Sequence, residues 1–175
     1  MTEPFATPGD LVLTDVSEIA YASAWIRAYC GWHIYPNQED TLVLDTFGGQ
    51  LLLLPTLHMT ALGAVVLTAD TSTVAPATLS WSQTGAIAYR PAPGVFPIAV
   101  PCWPIGLRTT QVTFTHGYAE VPDAIKAVAV GVAKRLPAGF TNVSQEQAGL
   151  VTRSYGGINF TPAEQSVLNR YRIWP

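Results

Sequence analysis

The sequence predicts an α+β fold: a small bundle of about three helices with an inserted set of antiparallel β-strands and a long proline-rich loop. Three observations lead there. Segments with helical spacing of apolar residues and capping signals lie towards both ends of the chain. Between them, residues 41–89 break into short runs rich in β-branched, leucine and aromatic residues, punctuated by Gly, Pro and Asn. Residues 90–107, "RPAPGVFPIAVPCWPIGL", then hold five prolines, each of which removes an N–H donor from any ladder, so an irregular loop or extended arm is expected. A chain of 175 residues that is 49% apolar can bury a sizeable core, and one domain spanning 1–175 is the expectation.

The elements follow in order. A helix over 15–30 starts with Asp15 as N-cap and Glu18 three residues on, the capping-box spacing that satisfies free N–H groups from both sides. Ile19, Ser23, Ile26 and Cys30 recur on one face, and Gly31 is placed to end it. "TLVLDTFGGQLLLLP" reads as two short strands joined as a hairpin through Gly48-Gly49, a pair that tolerates positive φ. "TALGAVVLT", "TLSWS" and "AIAYR" supply further strands, and 109–116 another. A helix over 122–136 places Ile125, Val128, Val132 and Leu136 on one face. Its small residues Ala127, Ala129, Gly131 and Ala133 permit close approach, so burial on more than one side is expected. Asp123 meets the positive end of its macrodipole and Lys134 and Arg135 the negative end. Residues 137–160 are expected to be loop with a short strand near "GLVTRSY". The last helix, 161–171, opens with Thr161 as N-cap, Pro162 at its first position and Glu164 closing a capping box.

Charge and composition narrow the function. Charged residues are 12% of the chain, roughly half the usual share for a soluble domain, a first hint of burial against partners. Residues 1–87 carry one base against eight acids, and 88–175 eight bases against four acids. Either the halves interleave in the fold and the asymmetry cancels, or the molecule has an acidic and a basic region suited to contacts with its own copies. No apolar run reaches the about 18 residues of a membrane span, and the acidic start "MTEPFATPGD" lacks the basic region of a signal peptide. The protein is therefore read as cytosolic where it is made, with Cys30 and Cys102 as reduced thiols. Cys30 and His33 stand three apart, but His58, Cys102 and His116 follow at intervals that match no zinc site. No phosphate loop, activated nucleophile or basic stripe stands out, so neither an enzyme, nor a cofactor, nor nucleic-acid recognition is expected.

The segments "WIRAYCGWHIYP", "LLLLPTLHMTAL", "VTFTHGYAEVPDAIKAVAVGVAKRL", the stretch Ser144 to Gln147 and "FTPAEQSVLNRYRI", in this order, resemble the head-to-tail connector, or adaptor, proteins of tailed bacteriophages, especially those of actinobacterial hosts. The resemblance implies a virion protein of the neck, twelve copies of which form a ring beneath the portal. That ring continues the DNA channel toward a stopper or tail terminator without binding DNA specifically. Such a ring needs a heterologous interface, one patch meeting a different one. The alternatives are another neck protein, such as a stopper or tail terminator, and a stand-alone binding domain for a peptide or small ligand, with a small hydrolase third. Three expectations name residues. Val95, Phe96, Ile98, Val100 and Trp103, apolar groups in a proline-rich segment without a ladder, are expected to protrude and touch a neighbouring subunit or neck protein. Acids drawn from Asp40, Asp45 and Asp70 are expected to line the channel, because Lys and Arg there would hold a sliding polyanion. Arg170, Tyr171, Arg172, Ile173 and Trp174 are residue types that dominate interface energetics and are expected to dock on the portal. The alternative is that Trp174 folds back on its own domain.

Overall fold

The computed structural model describes residues 3–6, 16–68, 71–90, 101–136, 145–148, 151–154 and 159–173. The fold is α+β, with three helices and antiparallel sheets. The chain divides into two compact units, one formed by Met1–Gly31 with Val121–Arg172 and the other by Trp32–Glu120 with Ile173–Pro175.

The first unit is helical. Helix α1 (Val16–Cys30) buries Ile19, Ala22, Ser23, Ile26 and Cys30, the stripe its spacing predicts. Its expected N-cap, Asp15, lies outside the described residues. Ser23 is tolerated in this stripe because its hydroxyl donates to the Ile19 carbonyl (2.7 Å) and accepts from the Phe5 amide (2.9 Å). That second bond ties down Phe5, which is buried under the Arg27 guanidinium. Helix α2 (Asp123–Ala133) buries Ile125, Val128, Ala129, Val132 and Ala133 and packs against α1 and helix α3 (Pro162–Leu168). The expected burial on several sides is only half met, for Ala127 faces solvent. The capping box of α3 is present in full: the Thr161 hydroxyl accepts from the Glu164 amide, and the Glu164 carboxylate accepts from the Thr161 amide. The same carboxylate receives both terminal nitrogens of Arg135, at 2.8 and 2.7 Å, joining the end of α2 to the start of α3. Burial pushes the Glu164 pKa up, yet the bonds from Arg135 and Thr161 outweigh it and hold the carboxyl below its ordinary value. A 3-10 turn, Asn169–Tyr171, prolongs α3 over the range expected to be helical. A two-stranded ribbon, β8 (Gln145–Ala148) with β9 (Val151–Ser154), falls in the stretch expected to hold one short strand.

The second unit is the β insertion. Strands β1 (Gln38–Phe47), β3 (Met59–Leu67), β4 (Ser72–Val74) and β7 (Ile105–His116) make one antiparallel sheet in the order β1-β7-β3-β4. Strands β2 (Leu51–Leu53), β5 (Leu79–Trp81) and β6 (Ala86–Tyr89) make a second, in the order β2-β6-β5. The buried cluster drawn from both sheets includes Leu52, Leu54, Met59, Val65, Leu79, Ile87, Val112 and Phe114.

The strands flanking Gly48-Gly49 exist but are not paired as a hairpin, since β1 pairs with β7 and β2 with β6. β1 runs along the long strand β7 while β2 joins the second sheet through three residue pairs, so the glycines act as a crossing from one sheet to the other. The proline-rich stretch also ends earlier than expected, because Ile105, Gly106 and Leu107 already belong to β7, beyond the last proline.

Candidate assembly surface

The β1·β7 ladder is the longest in the molecule's described residues and sets both ends of the second unit. Its register runs from Gln38↔His116 to Phe47↔Ile105, with an irregularity between Leu44 and Thr46. Alternation turns Leu42, Leu44 and Thr46 inward, against Thr110, Val112, Phe114 and His116 of β7. The odd-numbered residues of β1, Glu39, Thr41, Val43, Asp45 and Phe47, face out and are exposed.

At the His116 end the inward face is closed by polar and aromatic groups. The three histidines of the chain gather here. His116 is buried, its Nε2 donates to Asp40 Oδ2 at 2.8 Å, and its ring lies near Phe114, His33 and Trp32. His116 Nδ1 is buried without a partner among the described residues. His33 Nε2 donates to the Pro36 carbonyl at 2.6 Å. His58 Nδ1 donates to the Gly117 carbonyl at 3.0 Å while its ring stacks on Tyr118, with centroids 4.1 Å apart. The bond from His116 holds the Asp40 carboxyl below its ordinary value, against a smaller opposing effect of burial. These groups are knit to one another and to backbone carbonyls. No group of three metal-ligating side chains stands together among the described residues.

The other end is open and apolar. Phe47 and Ile105, directly paired, are 80% and 81% exposed, and Leu107, Leu51 and Leu53 are each more than half exposed. Ile105 lies over Gly48, whose φ of +75° and closeness to that side chain (2.8 Å from where a Cβ would be) suit glycine alone. Leu51 and Leu53 point out because Leu52 points in, the period of two on a three-residue strand. Between β1 and β2 opens a cavity of about 300 Å³ lined by Asp45, Thr46, Phe47, Gly49, Leu51–Leu53 and Trp103. Both strands that flank it are edges of their sheets, so each has one side with no ladder partner among the described residues.

The expected site residues distribute as follows. Trp103 does not protrude: it is 2% exposed, its amide donates to the Gly49 carbonyl (2.9 Å), its indole N–H donates to the Gln50 carbonyl (3.1 Å), and its ring packs on Tyr89. Burying an indole with its N–H satisfied is strongly favourable, and the glycine-flanked carbonyls of 49 and 50 supply that acceptor. Val95, Phe96, Ile98, Val100, Asp70 and Trp174 lie outside the described residues. Asp40 and Asp45 fall on opposite faces of β1, and each carboxylate has a local task, Asp40 at His116 and Asp45 accepting from the Arg108 amide (2.7 Å). Arg170 is exposed, whereas Tyr171, Arg172 and Ile173 are half-buried, with the Arg172 guanidinium over Tyr29 and the Tyr29 hydroxyl donating to Asn169. Regrouped by unit, the charge asymmetry of the two halves shrinks but does not vanish: the helical unit's ranges hold seven acids and seven bases, the β unit's five acids and two bases. Phe47, Leu51, Leu53, Ile105 and Leu107 were not singled out by sequence reasoning. The signal available was the run "TFGGQLLLL", in which any strand of alternating parity must leave half its leucines outside.

No protein-family model and no curated protein matches the sequence. Among solved structures, the fold is similar over 100% of this chain and 96% of the other to a chain from the neck of a native gene transfer agent (GTA) particle computed with C12 symmetry, at a TM-score of 0.56 and 16% identity. A chain from the neck of an empty GTA particle computed with C6 symmetry matches 93% of this chain and 81% of its own length, at a TM-score of 0.49 and 17% identity.

Proposed function

We propose that the protein is a structural neck component of a tailed phage or phage-like particle, an adaptor whose copies close into a ring, twelve in number, between portal and the following neck protein. The observation that carries this reading is the full-length likeness of its fold to a chain in a C12-symmetric neck. The order of sequence segments that resembles phage connectors supports it independently. An exposed apolar end on a chain with 12% charged residues is what an assembling subunit presents before its neighbours arrive. In this reading Arg170, Tyr171, Arg172, Ile173 and Trp174 dock on the portal. The segment holding Val95, Phe96, Ile98 and Val100 touches a neighbour, and acids at or near Asp40, Asp45 and Asp70 face the channel. Co-expression with the cognate portal protein tests the reading: electron micrographs of the purified complex are expected to show an added ring with twelvefold symmetry on the portal. Portal rings unaccompanied by this protein would overturn the portal-adaptor role, and attachment to the tail tube in their place would assign it to the tail side.

A further inference from the structure

We infer that the apolar end formed by Phe47, Leu51, Leu53, Ile105 and Leu107 is the surface by which one copy of this chain receives a second copy. The inference rests on the ring reading and deepens it by naming where the copies meet. Its first support is size. With a fully exposed aromatic presenting roughly 150 to 250 Å² and an aliphatic side chain less, these five present on the order of 600 Å² of apolar surface. That lies at the top of the roughly 300 to 600 Å² of the largest apolar patch on a typical monomer, a size that is often functional, and it approaches the roughly 800 Å² per partner of a standard stable interface.

Its second support is chemistry. The five patch residues carry no charge, and beside them stand one acid, Asp45, whose carboxylate accepts from the Arg108 amide, and one exposed base, Arg108, a single cation too few to hold a polyanion. A nucleic acid is thereby disfavoured as occupant. Trp103 floors the cavity with its N–H already donated to Gln50, so the floor offers an apolar ring and no donor for a polar ligand to capture. The flanking edges of β1 and β2 pair with no further strand among the described residues, and such an edge is one that another polypeptide backbone can extend and a small apolar molecule cannot.

Its third support is that this chain carries a patch to meet the first. Closing a ring by a heterologous contact requires two different surfaces on one molecule. Tyr21 and Trp25, one helical turn apart on α1, are the exposed large apolar pair of the helical unit among the described residues. They provide the aromatic types enriched at interface centres. A patch of leucine, isoleucine and phenylalanine on one copy and an aromatic pair on the next are complementary in kind without being self-identical, the condition for a ring over a closed pair.

Two measurements on the purified full chain test the inference. In the first, a benzophenone side chain replaces Leu107 and the protein is irradiated over a range of concentrations. Covalent species of two or more chains are expected, with the adduct mapped by mass spectrometry to a second chain. Adducts confined within one chain would overturn the inference, since the patch would then be covered from within. In the second, Phe47→Asp combined with Leu107→Asp is compared with the parent by sedimentation. The association is expected to shift to at least tenfold higher concentration with the melting temperature unchanged. Association equal to the parent's would overturn the inference. Negative-stain images of both proteins separate the two levels of the account. Rings that persist in the double variant sink the patch and keep the ring, whereas parent protein that crosslinks between chains only as closed pairs keeps the patch and sinks the ring.

Discussion

The two ends of the β1·β7 ladder obey one pairing rule and reach opposite outcomes. At Gln38↔His116 the inward residues are met by Trp32, His33, Phe114 and Asp40, and a buried imidazole is anchored by a carboxylate. At Phe47↔Ile105 the side chains are large and apolar and stand in solvent. The difference teaches that ladder position, not residue type, decides between core and contact surface. Trp103 and Phe47 border one cavity, yet the first is a floor and the second a rim. An exposed phenylalanine next to a buried tryptophan marks where the monomer's core stops and an interface can start.

The comparison can be broken most forcefully by substituting on its two sides. Trp103→Ala removes a buried indole and leaves a cavity, and a loss of about 3–5 kcal/mol in denaturant-induced unfolding is expected. A loss below about 1 kcal/mol would remove Trp103 from the core. Next comes the turn that closes the polar end. Gly117 has φ +99°, and a Cβ there would sit 2.6 Å from the Pro36 carbonyl oxygen, so Gly117→Ala is expected to cost on the order of 1–3 kcal/mol in the same assay.

Alkaline titration sharpens the contrast between buried and exposed groups. Burial pushes the Cys30 thiol up to about 12 from an ordinary 9.0, and its Sγ lies 3.8 Å from the Leu168 carbonyl. Because the folded value is the higher one, this contribution to stability is whole below pH 9 and declines as pH rises from there toward 12. A thiol reagent at neutral pH is expected to label exposed Cys102 promptly and Cys30 only on unfolding. Equal labelling of both in the folded protein would contradict the packing of α1 against α3.

Acid acts on the other side of neutrality. Asp40 titrates below its ordinary 3.8 because His116 donates to it, so its contribution is present above that value and fades as pH falls through the folded one. The stability gap between parent and Asp40→Asn is therefore expected to narrow as pH drops below about 4, a small effect since the carboxylate is part-exposed. A gap independent of pH would detach Asp40 from His116. The smallest effect is expected at the open end, where Phe47→Ala should change unfolding free energy by no more than about 0.5 kcal/mol. A larger loss would mean that Phe47 packs within its own chain.

Local interactions were legible in the sequence and long-range ones were not. The capping box Thr161–Glu164 and the buried stripe Ile19, Ser23, Ile26, Cys30 depend on neighbours within four residues, and both stand in the structure. The partners of β1 lie 58 to 78 residues away in β7, and nothing in "DTFGGQ" distinguishes a hairpin from a crossing between sheets. Proline count predicts an irregular stretch over 90–107, but it could not foresee that Trp103, inside that stretch, finds carbonyl acceptors at Gly49 and Gln50. The apolar end escaped notice for a related reason. Alternation shows that Leu51 and Leu53 share a face and Leu52 takes the other, while only the paired sheet says which face is covered.

The central claim, that this chain builds a closed neck ring, is tested most directly by electron microscopy of the protein assembled with its cognate portal. Class averages with an added twelvefold ring coaxial with the portal and an open central channel are the predicted result. Portals that stay bare at saturating protein, or an added density without rotational symmetry, would contradict it.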